Sequence, residues 1–111
     1  MAKALFDAQS IAAANLLQQA PVVGGGIVSK ALIDRGALKQ ILFAMDAGQQ
    51  ISEHKAPFVA TVQVLSGRLK FRVGGKEHDL GPHDWIVMPP NEAHDLIAAE
   101  AVVFLLTLVK G

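Results

Sequence analysis

Between Arg68 and Val73 the side chains alternate strictly, with Leu69, Phe71 and Val73 on one face and Arg68, Lys70 and Arg72 on the other. A period of two is the mark of a strand with one buried face. The same short rhythm runs along most of the chain. Ile27–Asp34 and Leu38–Asp46 flank Arg35-Gly36, which suits a hairpin turn. Ala47-Gly48 turns the chain into Ile51–Ala56, and Phe58–Leu65, rich in β-branched residues, ends at Ser66-Gly67. Gly74-Gly75 joins the strand at 68–73 to Lys76–Leu80 as a two-residue hairpin. Trp85–Met88, Ala93–Ala98 and Val102–Val109 complete about nine short strands, set apart by Gly-Pro-His-Asp and Pro-Pro-Asn-Glu turns. Such spacing predicts an all-β sandwich or barrel. The first twenty residues differ. Leu5, Ala8, Ala12 and Leu16 recur at helical spacing, Asp7 or Ser10 can cap, and Pro21 stops the run, which predicts a short N-terminal helix. Gly24-Gly25-Gly26 follows as a joint. No Lys-Ser/Thr comes after it, so it is no phosphate cradle.

Length and composition narrow the picture. The chain has 111 residues, enough for one domain. Apolar residues make up 51% and charged residues only 18%, with ten basic and ten acidic side chains cancelling. This excludes a disordered chain and gives no net field for nucleic acid. The basic face of Arg68, Lys70 and Arg72 has no interleaved aromatics and reads as a solvated outer face. A domain of this size buries roughly 65% of its unfolded surface. So few charges therefore suggest that some apolar surface is covered by a second subunit, and a homodimer is expected. The alternative is an alanine-rich monomer, since 17 residues are alanine. No run reaches the roughly 18 apolar residues of a membrane span, and Met1–Pro21 lacks the pattern of a secretion signal. A cytoplasmic protein is the expectation, with no membrane and no nucleic acid among its partners.

The chain has no cysteine and no tyrosine. Thiolate sites, disulfides, cysteine nucleophiles and tyrosine acids are excluded. His54, His78, His83 and His94 remain as the candidates for chemistry. His78, between Glu77 and Asp79, reads as part of a solvated strand, and His83 as a turn residue. Trp85 and Met88 bracket the strand before Pro89. They read as core, with a place at a pocket mouth as the alternative.

Two segments carry a resemblance. Gly48, His54 and Gly67 in the first, and Pro89 and His94 in the second, fall at the spacings of the two motifs of the cupin superfamily, with 15 residues between the motifs. The resemblance covers about residues 27–109. It implies a cupin-type double-stranded β-helix, a jelly-roll barrel, in residues 27–111, with residues 1–26 as N-terminal helix and linker. It also implies a ligand pocket inside the barrel lined by His54, Ala56, Ala60 and His94. In metal-binding cupins three His and one Glu from these motifs hold a divalent ion. Here the first and last His match His54 and His94, whereas the second His position is Ala56 and the Glu position is Ala60. Alanine has no lone pair to give. Gln63 and Asp95 fall on the outward parity of their strands, so neither is a strong substitute ligand, and Glu53 could supply an oxygen only in principle. His83 and Asn91 replace motif glycines, and Ala98 replaces the motif's final Asn.

Three readings of His54 and His94 stay open. They bind Fe, Mn, Ni or Zn with water or a ligand completing the shell. They line a metal-free pocket and bond an organic molecule. Or they are satisfied core residues. The leading expectation is a small-molecule-binding protein that requires no cofactor. The alternative is a metal-dependent oxygenase or isomerase with an incomplete two-histidine site. A third possibility is metal-free catalysis with one histidine as general base.

Overall fold

A computed structural model describes residues 3–110; Met1, Ala2 and Gly111, which the N-terminal and domain assignments above include, lie outside the described residues. Among the described residues nine strands form two antiparallel sheets. They are β1 (Ile27–Arg35), β2 (Leu38–Met45), β3 (Gln50–His54), β4 (Val59–Ser66), β5 (Leu69–Val73), β6 (Lys76–Leu80), β7 (Trp85–Met88), β8 (His94–Ala98) and β9 (Val102–Val109). The five-stranded sheet has the order β1-β2-β9-β4-β7 and the four-stranded sheet β3-β8-β5-β6. The two antiparallel sheets expected of the jelly roll are present, but the barrel is not closed: among the described residues no ladder joins the sheets, which face each other as an open sandwich. At one corner the chain crosses by turn contacts instead of a continuous strand, with Gly48 N–H donating to Ala98 O (2.8 Å) and Ala98 N–H to Gln49 O (2.9 Å).

Alternation sends one face of each sheet inward. Leu69 and Phe71 of β5 meet Val62 and Val64 of β4 and Phe104 of β9 in the main core, all 2% exposed or less. Phe43 and Phe104, opposite each other on β2 and β9, stack at 5.0 Å. The hairpin between β5 and β6 turns on Gly74 and Gly75, both at positive φ, as a two-residue loop of matching twist requires. Outside the four-stranded sheet, Arg68 pairs with Asp79 (3.2 Å) and Arg72 with Asp95 (2.7 Å), so the basic strand face is a solvated, ion-paired one.

The N-terminal helix does not form. Its only helical trace is a 3₁₀ turn, Leu16–Gln18, capped by the Asn15 side chain. Leu5 and Phe6 give their N–H groups to Ala31 and Leu32 of β1 (2.8 and 2.9 Å), and the Asp7 carboxylate accepts from Gln9 N–H and the Ser10 hydroxyl. Those bonds claim the donors that a first helical turn would need, and a helix this short is marginal alone. Residues of the segment pack instead on the outer face of the five-stranded sheet. Ala20, Leu32, Leu42, Ala44 and Val103 make a second cluster there, with Phe6 and Leu16 against it. A one-residue bulge at Leu32 in β1 turns both Leu32 and Ile33 towards that side. The glycine joint is tied rather than open: Gly25 N–H donates to the Asp46 carboxylate (2.7 Å), which this bond and one from Ala47 N–H hold below its ordinary pKa.

Candidate functional site

His54 and His94 come from neighbouring strands of the four-stranded sheet. Regular alternation would put Ile51 and His54, three residues apart, on opposite faces of β3. A bulge between them adds one residue, so that Ile51 pairs with Leu96 and His54 pairs with His94. Both rings then meet on the inner side, their centroids 4.1 Å apart, edge against face. Phe71 of β5 stacks on His94 at 5.5 Å with the ring planes 13° apart.

Both imidazoles are oriented by the backbone. His54 Nδ1 lies 2.8 Å from Ser52 O and His94 Nδ1 lies 3.0 Å from Glu92 O. A carbonyl oxygen only accepts, so each Nδ1 carries a proton, and in the neutral ring Nε2 is then the nitrogen with the lone pair. His94 is 9% exposed, whereas His54 stands at the exposed end of its strand. Burial pushes the His94 pKa below 6.5; the bond to Glu92 O works against that shift, the neighbouring His54 adds to it, and Asp95 opposes it. A neutral His94 keeps its Nε2 an acceptor at neutral pH.

Beside the two rings lies an apolar cavity of about 40 Å³, walled by Ile51, Phe71, Met88 and Leu96 among others. Ala56 and Ala60 do not line it. Ala60 is buried in β4 opposite Met88, while Ala56 lies beyond the end of β3 and accepts a hydrogen bond from Asn91 N–H (2.7 Å). Glu53 and Gln63 are exposed, and Asp95 turns outward to Arg72. Met88 borders the cavity; Trp85, two-fifths covered, faces away from it. His78 is half-buried opposite Phe71 on edge strand β6, and His83 occupies its turn. The Phe71 stack and the two carbonyl anchors have no signature in the residue pattern, because each depends on where the β3 bulge falls.

The residues present do not fit a resident metal. The two imidazoles stand 4.1 Å apart, centroid to centroid, and catalytic metal sites use three or four protein donors. Among the described residues no group of three or more His, Asp or Glu side chains is placed to hold an ion. The pair can accept two hydrogen bonds or take up a proton.

The cupin domain family matches residues 41–109, more than half of the chain. The chain belongs to the cupin family. A cupin 2 conserved barrel domain protein from Leptotrichia buccalis is 35% identical, with a TM-score of 0.81 over 86% of this chain and 47% of that one. This cupin thus spans about half the length of that relative. A conserved protein of unknown function from Streptococcus pyogenes is 29% identical with a TM-score of 0.86, over 100% of this chain and 96% of that one. An RmlC-like cupin from Desulfovibrio desulfuricans matches at 20% identity and a TM-score of 0.81, over 91% and 98% of the two chains. No curated protein matches this cupin. The motif glycines now have physical reasons. Gly67 has φ +80°, and a Cβ there would run into Ala101 O and sit 2.8 Å from Val102 Cα. His83 and Asn91, standing where the cupin motif carries glycine, have φ values of 72° and 66°.

Proposed function

We propose that this cupin binds a small organic molecule at the mouth of its sandwich, where the Nε2 atoms of His54 and His94 accept hydrogen bonds from it without a resident metal. The observation that carries this reading is the pair of backbone-anchored Nδ1 atoms, which turns two adjacent rings into two fixed acceptors. A ligand suited to them brings donors: hydroxyl, amide or ammonium groups. The cavity, about 40 Å³, is too small for a whole organic ligand. The ligand therefore inserts one polar end and keeps its body at the rim beside the exposed His54. The apolar wall supplies a water-poor setting in which such bonds count for more.

The test has two arms. Small polyols, amides and amines are screened by thermal shift against the wild type, His54→Ala and His94→Ala. Stabilisation of the wild type that both variants lose supports the reading. Elemental analysis of untagged protein is the second arm. Near-stoichiometric Fe, Mn, Ni or Zn that His54→Ala loses overturns it and supports the two-histidine metalloenzyme instead.

A further inference from the structure

Alternation decides which charges of the four-stranded sheet look towards the other sheet. Val73 packs against the main core, so the positions paired with it face inward too. They are His94 on β8 and Lys76 on β6, and His54 continues the row on β3. One row across the inner face therefore reads Lys76, Val73, His94, His54. Burial along β6 agrees: His78 and Leu80, at the same parity as Lys76, are half-buried and buried. Lys76 itself is exposed beside the Gly74-Gly75 turn, and among the described residues no carboxylate pairs with it.

The acids near this end are turned away or already engaged. Glu77 and Asp95 both stand opposite Arg72 on the outer face, where Asp95 binds it at 2.7 Å. Glu53 borders an outer cleft beside Arg72 and Asp95. On the facing sheet the corresponding row is Lys39, Leu108, Ala60 and Met88. Its single charge is again basic, and Asp34, opposite Lys39, is taken up by Lys39 (3.7 Å) and Lys110 (2.9 Å). In the flanking turns the exposed Lys55 and Glu92 offset each other. The mouth thus presents two imidazole acceptors and one uncommitted ammonium, with no uncommitted carboxylate on either inward row.

We infer that the ligand of the two-histidine site is a small hydroxy acid, whose hydroxyl donates to an Nε2 of the pair while its carboxylate meets the Lys76 ammonium. This rests on the function proposed above and adds the ligand's charge and length. Two strand spacings, about 10 Å in all, separate Lys76 from His94 across Val73. The flexible four-carbon stem of lysine and the imidazole close this span from its two ends. Room is left over Val73 for a few heavy atoms, which a hydroxyl and a carboxylate one or two carbons apart fill. A single ammonium matches one carboxylate. A phosphate dianion calls for the guanidinium fork or backbone nest that this row lacks.

Calorimetric titration of the full chain with lactate, 1,2-propanediol and propionate separates the two contacts. The three share a carbon skeleton and carry both groups, hydroxyls alone, or the carboxylate alone. Lactate should bind at least about tenfold tighter than either of the others. Lys76→Gln should remove that advantage and leave propanediol as it was, and Lys76→Arg should restore most of it. Lys70→Gln, on the outer face, should change nothing. Because Lys76 is exposed, its variants fold. Equal wild-type affinity for lactate and propanediol overturns the inference while the two-histidine reading stands, and so does lactate binding that ignores Lys76→Gln. Lactate binding that Lys76→Gln loses but His54→Ala and His94→Ala keep overturns the histidine acceptors, and the hydroxy-acid class with them. Absence of binding by lactate, glycolate and 3-hydroxypropionate alike overturns the class whatever the neutral donors do.

Discussion

His94 meets His54 edge to face at 4.1 Å, and each ring's Nδ1 reaches the carbonyl of the residue two positions before it. The repeated anchor makes a spectroscopic prediction. Long-range ¹⁵N–¹H correlation spectra of the neutral protein should show Nδ1 protonated and Nε2 unprotonated in both residues. His54→Ala should leave the His94 tautomer unchanged, because the Glu92 carbonyl, not the other ring, selects it.

His94 also makes stability depend on pH. Its pKa lies below 6.5 chiefly because burial disfavours the charged ring, with His54 adding to this and the Glu92 carbonyl and Asp95 opposing it. Below 6.5 the unfolded chain therefore binds a proton that the folded chain refuses. Stability is fully present above 6.5, falls as the pH drops from there to the lower folded value, and levels off beneath it. His94→Phe, which keeps a ring against Phe71, should flatten this part of the profile. Urea midpoints measured across the window check it.

Gly67 and Gly36 should respond differently to the same substitution. Both have positive φ, but a Cβ at Gly36 meets nothing within 4 Å, whereas one at Gly67 collides with the backbone of Ala101 and Val102. Gly36→Ala should cost about 1–2 kcal/mol from the left-handed conformation alone. Gly67→Ala should cost more than ~2 kcal/mol, because β9 must move as well. Denaturant curves for the two variants measure the difference.

His83 offers a gain. It holds φ 72° on an exposed turn. His83→Gly relieves about 1–2 kcal/mol of strain and loses about 0.5–1 kcal/mol to the greater freedom of the unfolded glycine. A net rise in stability of ~0.5–1 kcal/mol should follow. Chemical denaturation again reads it, and thermal-shift responses to ligands should not change, since His83 does not border the cavity beside the anchored pair.

The strands were legible wherever one face is buried. Leu69, Phe71 and Val73 announce β5, and Gly74-Gly75 announces its hairpin; both stand as read. His54 is the instructive case. Strict alternation from Ile51 turns it outward, and its inward position rests on an extra residue that the residue pattern does not mark. Ala56 shows the opposite limit. Its spacing from His54 suits one face of a strand, but β3 ends at His54, so the period no longer applies. The N-terminal segment misled because alanine-rich spacing reports local preference, while the Leu5 and Phe6 donors go to a strand more than twenty residues away.

The second cluster changes where this chain can be cut. Ala20 is fully buried against Leu42, Ala44 and Val103, and Leu32 at the β1 bulge completes the enclosure. A fragment trimmed to residues 41–109, the span shared with the family, would lose all of β1 and the segment before it. Leu42 and Val103 would then face water. In energetic terms Phe6, Leu16 and Ala20 belong to a third layer laid over the five-stranded sheet, β1 forms that sheet's edge, and the smallest piece that keeps both clusters dry begins well upstream of the motifs.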